Sequence, residues 1–213
     1  MSLEVTFNIK ETDAQIANLI VNALKPEVEK ILKKSFNKIK KSLKDIVQNA
    51  LRLAPEYQSL VSGELRAEFG LPDGQSRADA IIALITKIGF EFKPIKHTGY
   101  NLSGSFILTM IESDFKSALS SPAATFTTEK GTQLDWLEWL LLLGNKTIIK
   151  DYVVDIGPNP RSRTGMAVMR GVKSGKWQVP SAFSGTINNN WITRSIDSVE
   201  QDIKQLIQES ITL

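Results

Sequence analysis

The side chains that could do chemistry are few and scattered. The one histidine, His97, stands beside Gly99 in a predicted hairpin turn, and the chain has no cysteine. Acyl-transfer chemistry needs a nucleophile, a base and a third group that holds the base. No Gly-x-Ser-x-Gly elbow or lysine nucleophile motif accompanies His97. Such a histidine reads as a solvated loop side chain. The enzymatic alternative pairs it with a carboxylate as acid and base, on a substrate the sequence does not name. Asp151 and Asp155, four apart on a predicted strand, put two carboxylates on one face, but a hard cation asks for more oxygen ligands than that. They are expected to be exposed strand charges, and Glu64 with Glu68 is a pair of the same ordinary kind. Phosphate-cradling and dinucleotide-binding glycine motifs are missing. The expectation is a non-enzymatic protein with no cofactor and no metal site.

Charge carries more information. Between Lys25 and Arg52 stand nine Lys or Arg against three Asp or Glu, a net +6, while the whole chain carries only +3. The remainder is therefore −3. Localised charge of this kind suits a polyanion or an acidic neighbouring subunit. The same segment has an apolar stripe, Ile31, Leu32, Phe36, Ile39, Leu43, Ile46, Val47, Ala50 and Leu51, at the three-and-four spacing of an amphipathic helix. Lys33, Lys34, Lys38, Lys40 and Lys41 then occupy the polar side and are the candidate DNA-facing residues. A second basic cluster, Arg161, Arg163, Arg170, Lys173 and Lys176, is followed by Trp177, a pattern that could hold phosphates and stack a base. Together the helix and this cluster support one reading as a free nucleic-acid-binding module.

The elements that must position these residues read as α+β. Residues 3–9 alternate as a strand, and Thr12 with Gln15 forms a capping box that opens a short helix through about Leu24. Pro26 starts the long basic helix, which stops before Pro55. Ser59–Arg66 is a turn, and Ser76 caps a helix over 77–88 with Ala80, Ile81, Leu84, Ile85 and Ile88 inward, ended by Gly89. Phe90–Ile95 and Ser105–Ile111 form a hairpin around a turn at His97–Gly104. Thr132 and Asp135 cap a helix with Trp136, Leu137, Leu140 and Leu141, closed by Gly144, and the leucine-rich setting makes Trp136 and Trp139 core or interface anchors. Thr147–Ile156 is a strand. About 157–189 reads as a long irregular loop, and a helix over 190–211 closes the chain. The architecture expected is one α+β domain over 1–213, a mostly antiparallel sheet packed against long N-terminal and C-terminal helices. With 42% hydrophobic residues, no basic leader and no apolar run near the roughly 20 residues of a membrane span, a soluble intracellular product is expected.

Two stretches carry a more specific text. One is Ser162-Arg-Thr-Gly-Met-Ala-Val-Met169, Trp177-Gln-Val-Pro180, Phe183-Ser-Gly-Thr186 and Asn189-Asn-Trp-Ile-Thr-Arg194. The other is a long helix followed by Ala54-Pro55 and Ser62-Gly63-Glu64-Leu65-Arg66. In this order they resemble the neck or tail-completion (head–tail joining) structural proteins of tailed bacteriophages. Pro55–Val61 departs from that family's usual Val-Pro-Val-like lead-in, being longer and polar. The resemblance implies an α+β subunit that forms a homo-oligomeric ring in the virion neck, assembled in the host cytoplasm. It also implies a portal or adaptor on one side, a tail tube or tail terminator on the other, passing genomic DNA and no membrane. On this reading Arg161, Arg163, Met166, Met169, Trp177, Phe183 and Trp191 are the expected inter-subunit contacts, on an arm that orders against a neighbour.

Overall fold

A computed structural model of the chain describes residues 10–87, 89–98, 101–109, 115–144 and 146–211. The expected strand at 3–9 lies outside the described residues. Helix α1 runs unbroken from Asp13 to Leu53. Its start is the expected capping box: the Thr12 hydroxyl accepts from the Gln15 amide while the Gln15 side chain accepts from the Thr12 amide, at 3.3 and 2.8 Å. The expected break at Pro26 does not occur. Pro26 and Asn22, whose carbonyl would pair with residue 26, are both exposed. The lost bond therefore faces water and costs less than it would in a core.

Ala54, extended before Pro55, ends α1. The expected turn at Ser59–Arg66 is instead two short helices, α2 Pro55–Ser62 and α3 Glu64–Phe69, hinged at Gly63. Pro55 sits at the first helical position, where it lacks only a donor that would be orphaned anyway. Helix α4, Gly74–Ile85, starts before Ser76, with Asp73 as its N-cap residue. It buries Ala78 and Ile82 with Ile81 and Ile85, whereas Ala80 is exposed and Gly89 opens the next strand.

Strands β1 Gly89–Thr98 and β2 Asn101–Thr109 form an antiparallel hairpin tighter than expected. His97 is paired with Leu102 inside it rather than lying in a turn. After a short helix α5 Lys116–Leu119 and a 3₁₀ turn Pro122–Ala124, β3 Phe126–Thr127 pairs with β4 Gln133–Leu134. Helix α6, Trp136–Leu141, buries all four expected residues, with Asp135 in the N-cap position but no side-chain cap bond.

The largest correction concerns the long loop. Ala167–Trp177 is strand β6, antiparallel to β5 Ile149–Ile156. Its pairing jumps from Lys150↔Lys176 to Tyr152↔Gly171, leaving Asp151 opposite four residues of β6. Asp151 and Ser174 take positive φ there, and the Asp151 carboxylate accepts from the Ser174 amide at 2.9 Å. A Cβ on Gly175 would come within 2.9 Å of the Tyr152 and Val172 carbonyl oxygens, so this bulge needs glycine. Glycines and serines that serve a bulge look like loop composition when read along the chain.

The described strands form three separate two-stranded hairpins, not one sheet. The closing helix is divided at Val199 into α7 Trp191–Ser198 and α8 Glu200–Ile211. The α+β class holds. The core joins the last third of α1 to α2, α3, α4, α6 and α7, with Phe115, Trp177 and Val179.

Candidate functional site

Two surface features stand out, and the first is on α1. Val21, Lys25, Val28, Leu32 and Phe36 are half-buried, and Ile39, Leu43 and Val47 continue the same line as fully buried residues. This stripe faces the body. With about 100° between successive residues, a second line of apolar residues, Ile16, Ile20, Leu24 and Ile31, lies roughly a quarter-turn or more away. Ile20 is 54% and Leu24 51% exposed, and Ile31 is also exposed. Asp13 and Glu27, seven residues before and after Ile20, share its line, Glu27 falling between Leu24 and Ile31, and the same spacing places Lys34 and Lys38 further along it. Glu27 makes only a long contact with Lys30, 3.9 Å between two highly exposed groups.

Along the middle of α1, Lys33, Lys34, Lys38, Lys40 and Lys41 are all exposed. Lys33 Nζ lies 5.8 Å from the centroid of the Phe92 ring on β1. The lysines form an outward face of one helix, as their spacing predicts.

The second feature is a groove of about 640 Å³ between the β3–β4 turn and the β5–β6 hairpin. Its floor is an aromatic cluster in edge-on contact. Phe69 and Trp139 are 6.1 Å apart, Phe69 and Trp177 5.9 Å, and Trp139 and Trp177 5.5 Å. The Trp177 indole N–H donates to Glu68 Oε2 at 3.0 Å. Burial pushes the Glu68 carboxyl up from its ordinary value, the Trp177 hydrogen bond opposes this, and the Glu64 charge adds to the rise. Along one wall the cross-strand pairs put Tyr152, Val154 and Ile156 on the same face as Met169 and Ala167, with Tyr152, Ile156 and Met169 exposed.

The rim is basic. Lys130 and Arg161 are exposed beside the groove. Arg163 Nε donates to the Gly70 carbonyl at 3.1 Å, and its guanidinium lies 5.4 Å from the Phe126 ring centroid, with Arg77 5.1 Å from the same ring. Burial lowers the Arg163 pKa and the Glu129 charge opposes that. Gly70 ends α3 at φ 61°, and a Cβ there would meet the Arg163 guanidinium. Arg163 thus pins the 157–166 loop to α3 while remaining exposed, as is Arg161 beside it.

The expected contact residues separate accordingly. Arg161 and Met169 are exposed at the groove, Met166 is half-buried, and Phe183 is half-buried against the core. Trp177 and Trp191 are core residues of a single chain, 4% and 0% exposed, and are withdrawn from the contact surface. Trp191 donates to the Leu51 carbonyl, tying α7 to the end of α1. Asn190 caps α7 by accepting from the Ile192 and Thr193 amides. Arg194 binds buried Glu56 and the Asn189 carbonyl, so the segment 178–189 is held down by its own chain.

The other candidates stay apart. Asp155 is paired with Arg170, which holds its carboxyl below the ordinary value, and Asp151 serves the bulge. Among the described residues no three His, Asp or Glu cluster as metal ligands, and no helix is long and apolar enough to cross a membrane. The sequence reading missed Glu68 as an indole acceptor, Tyr152 as a groove wall, and the second stripe of α1. The four-residue spacing of Ile16, Ile20 and Leu24 was a usable signal, obscured by ending a helix before Pro26. Comparison with protein-family models, curated proteins and solved structures gives no match.

Proposed function

We propose that this chain is a structural subunit of a phage neck, a ring-forming protein that completes the tail and joins it to the head. The observation that carries the reading is the pair of apolar surfaces left open by a single chain. A helix stripe is exposed at Ile20 and Leu24, and a grooved hairpin face is exposed at Tyr152, Ile156 and Met169. Patches of this kind mark interaction sites, and two different patches on one chain suit the head-to-tail contacts from which rings close. The resemblance of the Ser62–Arg66 and Ser162–Arg194 stretches supplies the neck assignment. Neighbours in that setting are the portal or adaptor and the tail tube or terminator. Electron microscopy of the purified protein is expected to show closed rings, and mass spectrometry of the encoding phage's particles to find the chain. Monomers alone, together with absence from the particles, overturn the proposal.

One observation favours a second reading, nucleic-acid binding: the exposed lysine face of α1. If it grips phosphates, affinity for duplex DNA falls steeply between 50 and 200 mM salt, as counterion release requires. Replacing Lys33, Lys34, Lys38 and Lys41 with Gln then flattens that dependence. A salt-independent isotherm excludes this reading and leaves the ring proposal intact.

A further inference from the structure

We infer that strand β2 is an association edge, pairing antiparallel with β2 of a second copy of this chain across a two-fold axis. Two β1–β2 hairpins then form one four-stranded sheet. The inference goes beyond the ring reading above, because a two-fold contact adds to head-to-tail contacts without replacing them.

An edge strand presents a row of unpaired N–H and C=O groups, and proteins block such edges with charge, proline, bulges or shortness. Among the described residues every strand but β2 carries such a block. Strand β1 has Glu91, Lys93, Pro94 and Lys96, with an irregularity between Lys93 and Lys96. Strands β3 and β4 are two residues each. Strand β5 carries Lys150, Asp151 and Asp155, and β6 carries Arg170, Lys173 and Lys176 around its bulge. Strand β2, Asn101-Leu-Ser-Gly-Ser-Phe-Ile-Leu-Thr109, has nine residues, no charge and no proline, and among the described strands it pairs with β1 alone. That selects the occupant. Strand addition joins one open edge to another, and the open edge that a second copy offers is its own β2. One face of the hairpin is taken by α1, since a Cβ on Gly104 would lie 3.6 Å from Leu32. By alternation Ser103, Ser105 and Ile107 share the other face, and all three are exposed. The β1 charges of the two copies stand three strand spacings apart, about 14 Å, beyond the Debye length of about 8 Å in physiological salt. A two-stranded ribbon is marginal alone, and the added strands give it the width of a stable sheet.

The chain has no cysteine, so a disulfide in a single-cysteine variant must join two copies. Ser103→Cys, Ser105→Cys and Ile107→Cys are oxidised alone and in mixed pairs, one of each pair mass-tagged. Antiparallel pairing across an axis allows links of one register, such as 105 with 105 and 103 with 107, and such a pattern supports the inference. Every variant linking equally with itself indicates parallel stacking, and no link at any position indicates an unpaired edge. Either result overturns the inference. A link that forms only after residues 2–9 are deleted means that the chain covers its own edge, and overturns it too. Charge tests the same edge without a cross-link. Ser103→Lys with Ser105→Lys, and Ser103→Glu with Ser105→Glu, are each expected to weaken the dimer on the order of tenfold, and an equimolar mixture of the two variants to restore it. Failure of the mixture to recover, with circular dichroism and thermal melts unchanged, overturns the pairing. Rings that form without the cross-link overturn the inference and leave the neck proposal standing. Cross-linked dimers without rings do the reverse.

Discussion

The two ends of α1 belong to one continuous helix and follow different rules. At its C-terminal end Ile39, Leu43, Val47, Ala50 and Leu51 are buried, and Leu43, Val47 and Leu51 join the core with residues of α2, α4 and α7. No residue between Asp13 and Lys38 is fully buried, and the apolar residues there include a line turned away from the body. Both ends carry apolar residues at helical spacing. The difference lies in what the rest of the chain can reach. The C-terminal end joins the core, and the N-terminal end leaves apolar side chains exposed.

The sharpest way to break this comparison is to truncate a leucine at each end. Leu43→Ala and Leu51→Ala each remove a side chain that is 0% exposed, and each is expected to cost about 2–5 kcal/mol through lost transfer energy and a residual cavity. Leu24→Ala should stay within about 0.5 kcal/mol in urea melts run below the association concentration. Equal losses at the two positions would erase the distinction.

A smaller effect is expected at the latch that closes the core. Glu56 is 3% exposed and pairs with Arg194, itself about a third exposed. Arg194→Ala strands a buried carboxylate and should cost roughly 2 kcal/mol, discounted from the fully buried case because Arg194 meets solvent. It should also free residues 183–189, since Arg194 holds the Phe183 and Asn189 carbonyls. Faster amide exchange confined to that segment is the check.

The smallest effect belongs to Glu68. Its carboxyl is raised in the folded chain, so the folded state binds that proton more tightly than the unfolded one. The resulting stabilisation is complete below the ordinary glutamate value of about 4.5 and is lost as pH rises through the elevated one. Glu68→Gln keeps an acceptor for the Trp177 indole and removes the titration. Its stability profile should be flatter, matching the parent at low pH and exceeding it by a few tenths of a kcal/mol near neutrality, the half-exposed carboxyl limiting the gain. A variant less stable than the parent at pH 7 would mean that the charged form of the Trp177–Glu68 bond matters more than burial.

How much was legible in the sequence follows from the same contrast. The buried end of α1, the Thr12 capping box and the buried face of α6 were readable because period, cap and core agree there. Strand β6 was not, because its Gly171, Ser174 and Gly175 serve a bulge and carry no alternation. Trp177 and Trp191 read as contact residues because aromatic side chains in a basic, glycine-rich text suit an interface equally well. Only the folded chain shows them occupied by Glu68 and by the Leu51 carbonyl. The groove joins residues from 67 to 177, and such long-range juxtapositions leave no local mark.

Self-assembly through the exposed end of α1 is the central claim, and sedimentation equilibrium of the purified protein tests it most directly. The parent chain should form a discrete closed oligomer at micromolar concentration, and Ile20→Glu with Leu24→Glu should reduce it to monomer with an unchanged melt. A parent chain that remains monomeric at every concentration, or an oligomer indifferent to both substitutions, would contradict the account.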